Sequence, residues 1–95
     1  MFYIYILHCS NGSYYIGHTE NLEKRLSEHT QGFCGYTKER RPFKLVFYDT
    51  SFTRDAALGL EIQMKKWTRK KKEVLINYGW DGIQHYEKKY KFLRN

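Results

Sequence analysis

The stretch "FYIYILHCSNGSYYIG", Phe2 to Gly17, constrains the fold more than any other in the chain. "FYIYIL" alternates and is built from aromatic and β-branched residues, so Phe2–Leu7 reads as a strand. Asn11-Gly12 follows as the strongest short hairpin signal present, and "YYIG" then returns antiparallel to the first strand. A sheet that begins this way needs something to cover it, and the remaining sequence supplies helices. Thr19 is read as the N-cap of "ENLEKRLSEH", whose Leu22 and Leu26 form a stripe at i, i+4. Gly32 ends that helix, and "FCGYTKERR" is a polar, basic loop. Pro42 marks entry to a third strand, "FKLVFYD". Thr53 caps a second helix running through Leu60, Met64 and Trp67, and Thr68 restarts one with Val74, Leu75 and Ile76 on its apolar side. "NYGWDG" reads as a turn before a last helix carrying Ile83, Tyr86, Tyr90 and Leu93. The order β-β-α-β-α-α-α places the chain in the α+β class, a central three-stranded antiparallel sheet flanked by helices.

With 95 residues the expectation is one domain over residues 1–95, with no room for a second core. Nine Tyr and six Phe leave much of the packing to aromatic rings. No apolar run approaches the ~20 residues needed to span a bilayer, which argues against a membrane protein. "MFYIYILHC" lacks a basic leader region and a small-residue cleavage site, so it reads as a buried strand in a protein that stays where it is made. Cys9 and Cys34 could pair but nothing requires it, and neither has a Cys or His partner at zinc-ligand spacing.

The net charge of +7 is unevenly placed. Residues 1–50 hold six Lys/Arg against five Asp/Glu, or +1, whereas residues 51–95 hold eleven against five, or +6. "KKWTRKKKE" and "EKKYKFLRN" carry the excess, a basic face that suits a polyanion, most simply nucleic acid. A solvated lysine-rich helix surface is the competing explanation, and charge alone does not separate the two. The candidate footprint is Lys65, Lys66, Arg69, Lys70, Lys71 and Lys72, joined by Arg40 and Arg41 of the loop. Rings among these cations can stack exposed bases, although Trp67 and Tyr90 are better read as core.

Several polar residues are not explained by the fold. Tyr3 and Tyr5 share a strand face, and Tyr14 and Tyr15 must point to opposite faces. Arg25 and His29, at i, i+4 on the first helix, project side by side. Arg25 borders the buried stripe and can offer a bidentate fork to a phosphate, or pair with Glu28 or Glu20. Glu61 lies near the apolar face of Ala57, Leu58 and Met64, where a carboxylate is either paired, with Lys65 four residues on, or bound to a hard cation.

Together these residues resemble the GIY-YIG nuclease superfamily, which includes the catalytic N-terminal domain of the excision-repair subunit UvrC. The tripeptides are Tyr3-Ile4-Tyr5, departing only at the Gly, and Tyr15-Ile16-Gly17, intact. The small stand-alone bacterial members are the nearest pattern, "LxRRLxEH … YTxxRRPxxLV … KxxxRxxKExLI", which looks like residues 22–76 here. Several motifs in fixed order cover roughly four-fifths of the chain, with a motif core over about residues 2–78 and a basic helix over about 81–94.

The resemblance implies a DNA endonuclease. By it Tyr15 activates or orients the attacking water, and Tyr5 helps position that water and the scissile phosphate. Arg25 stabilises charge on the phosphoryl oxygens, and His29 is a further hydrogen-bonding or proton-handling group. Glu61 holds one divalent cation per site, Mg²⁺ or Mn²⁺. Two positions depart from the pattern: His18 stands where many members carry Lys, and Asn77 is the nearest candidate for a late Asn but lies farther from Glu61 than usual. The implied substrate is nucleic acid, DNA in preference to RNA, perhaps branched or damaged, in the bacterial cytoplasm, with no protein partner identifiable. The chemistry is coherent, because cutting a phosphodiester needs an oriented water and positive charge where negative charge develops. The alternative is a nucleic-acid-binding module on the same fold with little or no turnover.

Overall fold

In the computed structural model residues 1–33 and 35–90 are described, with 36, 37, 51, 52, 89 and 90 described by backbone alone. The elements are β1 (Phe2–Cys9), β2 (Tyr14–Thr19), α1 (Leu22–Thr30), α2 (Gly35–Lys38), β3 (Phe43–Phe52), α3 (Arg54–Lys65) and α4 (Arg69–Tyr90). The order is the one read from the sequence, with a short helix added inside the basic loop. At the hairpin turn Asn11 Oδ1 accepts from the Ser13 amide at 3.0 Å and the Ser13 hydroxyl at 2.7 Å.

The sheet is antiparallel in the order β2-β1-β3, so the first strand is the central one. Ile4, Tyr5, Ile6 and Leu7 are all fully buried, as a strand covered on both faces must be. Alternation puts Tyr5 and Leu7 on one face and Ile4 and Ile6 on the other. Directly paired residues share a face, so Tyr15 and Gly17 of β2 join Leu7 and Tyr5, while Ile16 and His18 join Ile6 and Ile4. Helix α3 packs on β1 and β2, with Ala57 and Met64 completely buried. Its contact from Glu61 to His18 fixes it on the Ile4–Ile6 face. Each fully buried Ile, Leu or Met side chain contributes about 1.5–3 kcal/mol. The opposite face receives His29 of α1.

Capping follows the sequence at two helices and departs from it at one. Thr53 Oγ1 accepts from the Ala56 amide at 3.1 Å, and Thr68 Oγ1 from the Lys71 amide at 3.2 Å. For α1 the cap is Asn21, whose Oδ1 accepts from the Lys24 amide at 3.0 Å. Thr19 lies two residues too early and instead binds the Asn21 backbone, accepting from its N–H at 3.2 Å and donating to its carbonyl at 3.3 Å.

The chain divides into two compact units, Met1–Lys65 and Lys66–Asn95. The second unit is built on α4, in which Gly79 alone leaves helical geometry, at φ 71° and ψ −165°. "NYGWDG" is thus a break between two helical segments rather than a longer turn. The segments fold back on each other: Trp67 meets Trp80 edge-on at 6.3 Å, and Lys71 Nζ reaches Glu87 Oε1 at 2.8 Å. Leu75 and Ile83 are buried there. No helix among the described residues is long and apolar enough to cross a membrane. Cys9 is a buried free thiol, whereas Cys34, Phe92 and Leu93 lie outside the described residues.

Candidate active site

The site begins with a missing side chain. Tyr5 and Gly17 are register partners on neighbouring strands. A Cβ on Gly17 would stand 2.5 Å from Tyr5 Oη and 2.7 Å from its Cζ. The Tyr5 ring therefore lies across the place where any other residue would put its side chain. This gives the glycine of the second tripeptide a physical reason that spacing alone does not reveal.

Tyr5 Oη points at α1. It shares a 2.8 Å hydrogen bond with His29 Nε2, and Arg25 Nε donates to it at 3.4 Å. A guanidinium only donates, so the phenol can accept from Arg25 and pass its own proton toward His29 when that ring is protonated at Nδ1. His29 is fully buried and enclosed by rings, with Tyr5 at 5.8 Å, Tyr15 at 5.0 Å and Phe43 at 5.8 Å, all edge-on. Burial first, then the Arg25 charge, lowers its pKa to about 4, against a smaller upward pull from Glu28. The imidazole is consequently neutral at pH 7. Arg25 also approaches Glu28 at 3.5 Å, the local pairing available on a helix surface, while a good third of its side chain stays accessible.

On the other face of β2 lies a second cluster. Glu61 Oε1 is 2.7 Å from His18 Nδ1, and Oε2 is 2.8 Å from Lys65 Nζ. Burial pushes the Glu61 carboxyl up, and the hydrogen bonds and charges of Lys65 and His18 outweigh it, leaving the group below its ordinary value. Lys65 is held above its own ordinary value by Glu61, against burial, with a further contribution from Tyr15. Tyr15, on the edge strand of the sheet, joins the first cluster through its ring, 6.2 Å from Tyr5 and 5.0 Å from His29.

Four of the residues named from the sequence are thus brought together on the first face, namely Tyr5, Tyr15, Arg25 and His29, and Lys65 lies with Glu61 and His18 on the other. Tyr5 and His29 present no surface to solvent. Asn77 is exposed and belongs to the second unit. Of the basic residues, Lys71 is buried, paired with Glu87 and placed over the Trp67 ring at 4.4 Å, so its charge serves the fold. Arg69 pairs with Glu73 at 3.2 Å. Arg41 donates to the carbonyls of Lys38 at 3.0 Å and Thr30 at 2.8 Å, fastening the loop between α1 and β3. Lys66, Lys70 and Lys72 extend from the second unit.

The donor set for a divalent ion is one carboxylate. Among the described residues no three His, Cys, Asp or Glu side chains converge. A hard cation can be held this way when waters and phosphate oxygens complete its shell, as Mg²⁺ prefers. Here it would have to displace Lys65 or His18 from Glu61.

The model of the GIY-YIG catalytic domain family matches residues 1–74. A UPF0213 protein of Clostridium perfringens is 42% identical over 90 residues, covering 93% of this chain and 96% of that one. Another from Syntrophus aciditrophicus is 47% identical over 76 residues, 78% of this chain and 87% of its own. The solution NMR structure of a UPF0213 protein from Bacillus halodurans superposes with a TM-score of 0.54 at 33% identity, covering 92% of this chain and 96% of that one. With its hairpin tripeptides, the Tyr5–Gly17 crossing and a match spanning most of its length, the chain belongs to the GIY-YIG family.

Proposed function

We propose that this protein is a metal-dependent endonuclease that hydrolyses DNA phosphodiesters, with structured or damaged DNA as the substrate class. The observation that carries the reading is the pair of clusters on the two faces of the β1–β2 hairpin, the Tyr5–Arg25–His29 network with the Tyr15 ring on one and Glu61–His18–Lys65 on the other. Arg25 supplies a fixed charge to the equatorial oxygens of the scissile phosphate, where negative charge grows during attack. Tyr5 and His29 do this indirectly: buried and mutually bonded, they orient the guanidinium from behind. Tyr15 orients the attacking water rather than deprotonating it outright, since an ordinary phenol has a pKa of about 10. Glu61 would hold the Mg²⁺ or Mn²⁺ ion, which when bound supplies positive charge to the phosphate and the leaving oxygen. Lys65 and His18 keep the Glu61 carboxylate ionised and aimed until then.

A second reading, a binding module without turnover, is favoured by one observation: both Glu61 oxygens already have a hydrogen-bonding partner. One gel separates the two. Labelled single-stranded, duplex, flapped and four-way-junction DNA is incubated with Mg²⁺, Mn²⁺ or EDTA, with Glu61→Ala and Tyr15→Phe alongside. Cutting that needs metal and disappears in both variants is the expected result. Intact DNA in every lane, with salt-sensitive binding retained, leaves the binding module.

A further inference from the structure

The second unit carries a groove that the catalytic reading does not use. It lies between the two segments of α4 and is lined by Lys70, Val74, Tyr78, Asp81, Gly82, His85 and Tyr86. Its volume of about 510 Å³ falls within the roughly 300–1,000 Å³ of small-molecule sites. All but Lys70 and Val74 lie beyond residue 74, where the family match ends.

Three features say what the groove would take. Tyr78 is 73% exposed, a large ring presented to solvent, whereas Trp67 and Trp80 of the same unit face each other. Gly82 lets the two segments close tightly beneath the groove, since a Cβ there would stand 2.5 Å from Tyr78 Cβ and 3.3 Å from Val74 Cγ1. Lys70 and Asp81 are its charged lining, and the surrounding residues 66–95 hold nine Lys/Arg against three Asp/Glu, or +6. An aromatic platform beside an apolar cleft in a positive field is the pattern that binds unpaired bases.

We propose that this groove is a second DNA site that takes one unpaired base, stacked on Tyr78, with an adjacent phosphate held by Lys70. Asp81 and His85 then face the polar edge of the base, where a carboxylate accepts from an exocyclic amine and repels a misplaced phosphate. The proposal rests on the DNA reading and sharpens it: the preferred substrate carries single-stranded nucleotides, as a flap does.

The test is binding in EDTA, by fluorescence anisotropy, of a labelled single strand and a duplex of equal length, with Tyr78→Ala and Tyr78→Trp. Tyr78→Ala should weaken single-strand binding by about 10- to 100-fold, the effect of one stacked base, and leave duplex binding unchanged. Tyr78→Trp should retain it, and a 2-aminopurine in the single strand should be quenched by the wild-type chain but not by the Ala variant. Equal loss on both DNAs, or no loss on either, overturns the groove. Tyr78-dependent dimerisation on size exclusion without DNA would assign it to a second copy and overturn it too. A wild-type chain that binds single strands through Tyr78 yet cuts nothing keeps the groove and loses the nuclease, whereas one that binds no DNA loses both.

Discussion

At the residue scale, the tightest constraint on the site is the contact between Tyr5 and Gly17. Gly17→Ala would place a methyl group 2.5 Å from Tyr5 Oη, and neither strand can move without breaking the ladder. Overpacking of this kind costs about 1–3 kcal/mol, which a urea denaturation curve will read. Gly59→Ala, on the exposed side of α3 with nothing within 4 Å, should instead stabilise by about 0.5–1 kcal/mol from helix propensity. His29 makes a second prediction, with a definite sign. Its pKa is about 4 when folded against 6.5 as the ordinary value, so between those limits the unfolded chain binds more protons than the native one. Stability is therefore unpenalised above pH 6.5 and falls as the pH drops from 6.5 toward 4, by at most about 1.4 kcal/mol per unit. His29→Gln keeps a polar partner for Tyr5 and removes the titration. The slope between pH 6.5 and 5 in urea midpoints should flatten in that variant, and an unchanged slope would show that the proton uptake belongs elsewhere.

At the scale of elements, α1 is the part whose position matters most, because it carries Arg25 and His29 together. Its first turn hangs on the Asn21 side chain. Asn21→Ala should cost about 1 kcal/mol, and Thr19→Ala less, by thermal or urea unfolding. Equal losses would return the capping role to Thr19. That element also shows what was legible in the sequence. Strand alternation and i, i+4 spacing are local rules, so the hairpin, the Arg25–His29 pair and the Glu61–Lys65 pairing could all be read directly. The exact cap could not, since Thr19 and Asn21 are both good caps and the choice is decided by where β2 stops. The burial of Tyr5 and the need for Gly17 depend on strand register and on β1 being central, which no local pattern encodes. The groove at Tyr78 was equally hidden. It exists because Gly79 adopts a φ of 71°, folding back what would otherwise continue as one helix.

At the scale of the whole molecule, the net charge of +7 is an electrostatic resource only to the extent that its cations are not already committed. The second unit separates the two kinds. Lys71 is buried, bonded to Glu87 and placed on the Trp67 ring, so Lys71→Met removes a tie between the segments of α4. The Glu87 carboxylate left behind is half-exposed and can be solvated, so the loss is that of the tie itself and should appear as destabilisation in urea unfolding. Lys66 is exposed and Lys72 half-buried, and neither forms an ion pair among the described residues. A lysine that neutralises a phosphate releases about one counterion, so log affinity falls with log salt by roughly one unit for each such contact. Lys66→Met and Lys72→Met should each lower the magnitude of that slope by about one on duplex DNA, with stability unchanged. Lys71→Met should lower stability and leave the slope alone. The reverse pattern would mean that the pairing with Glu87 gives way when DNA binds, and that the charge holding the second unit together is itself part of the DNA-binding surface.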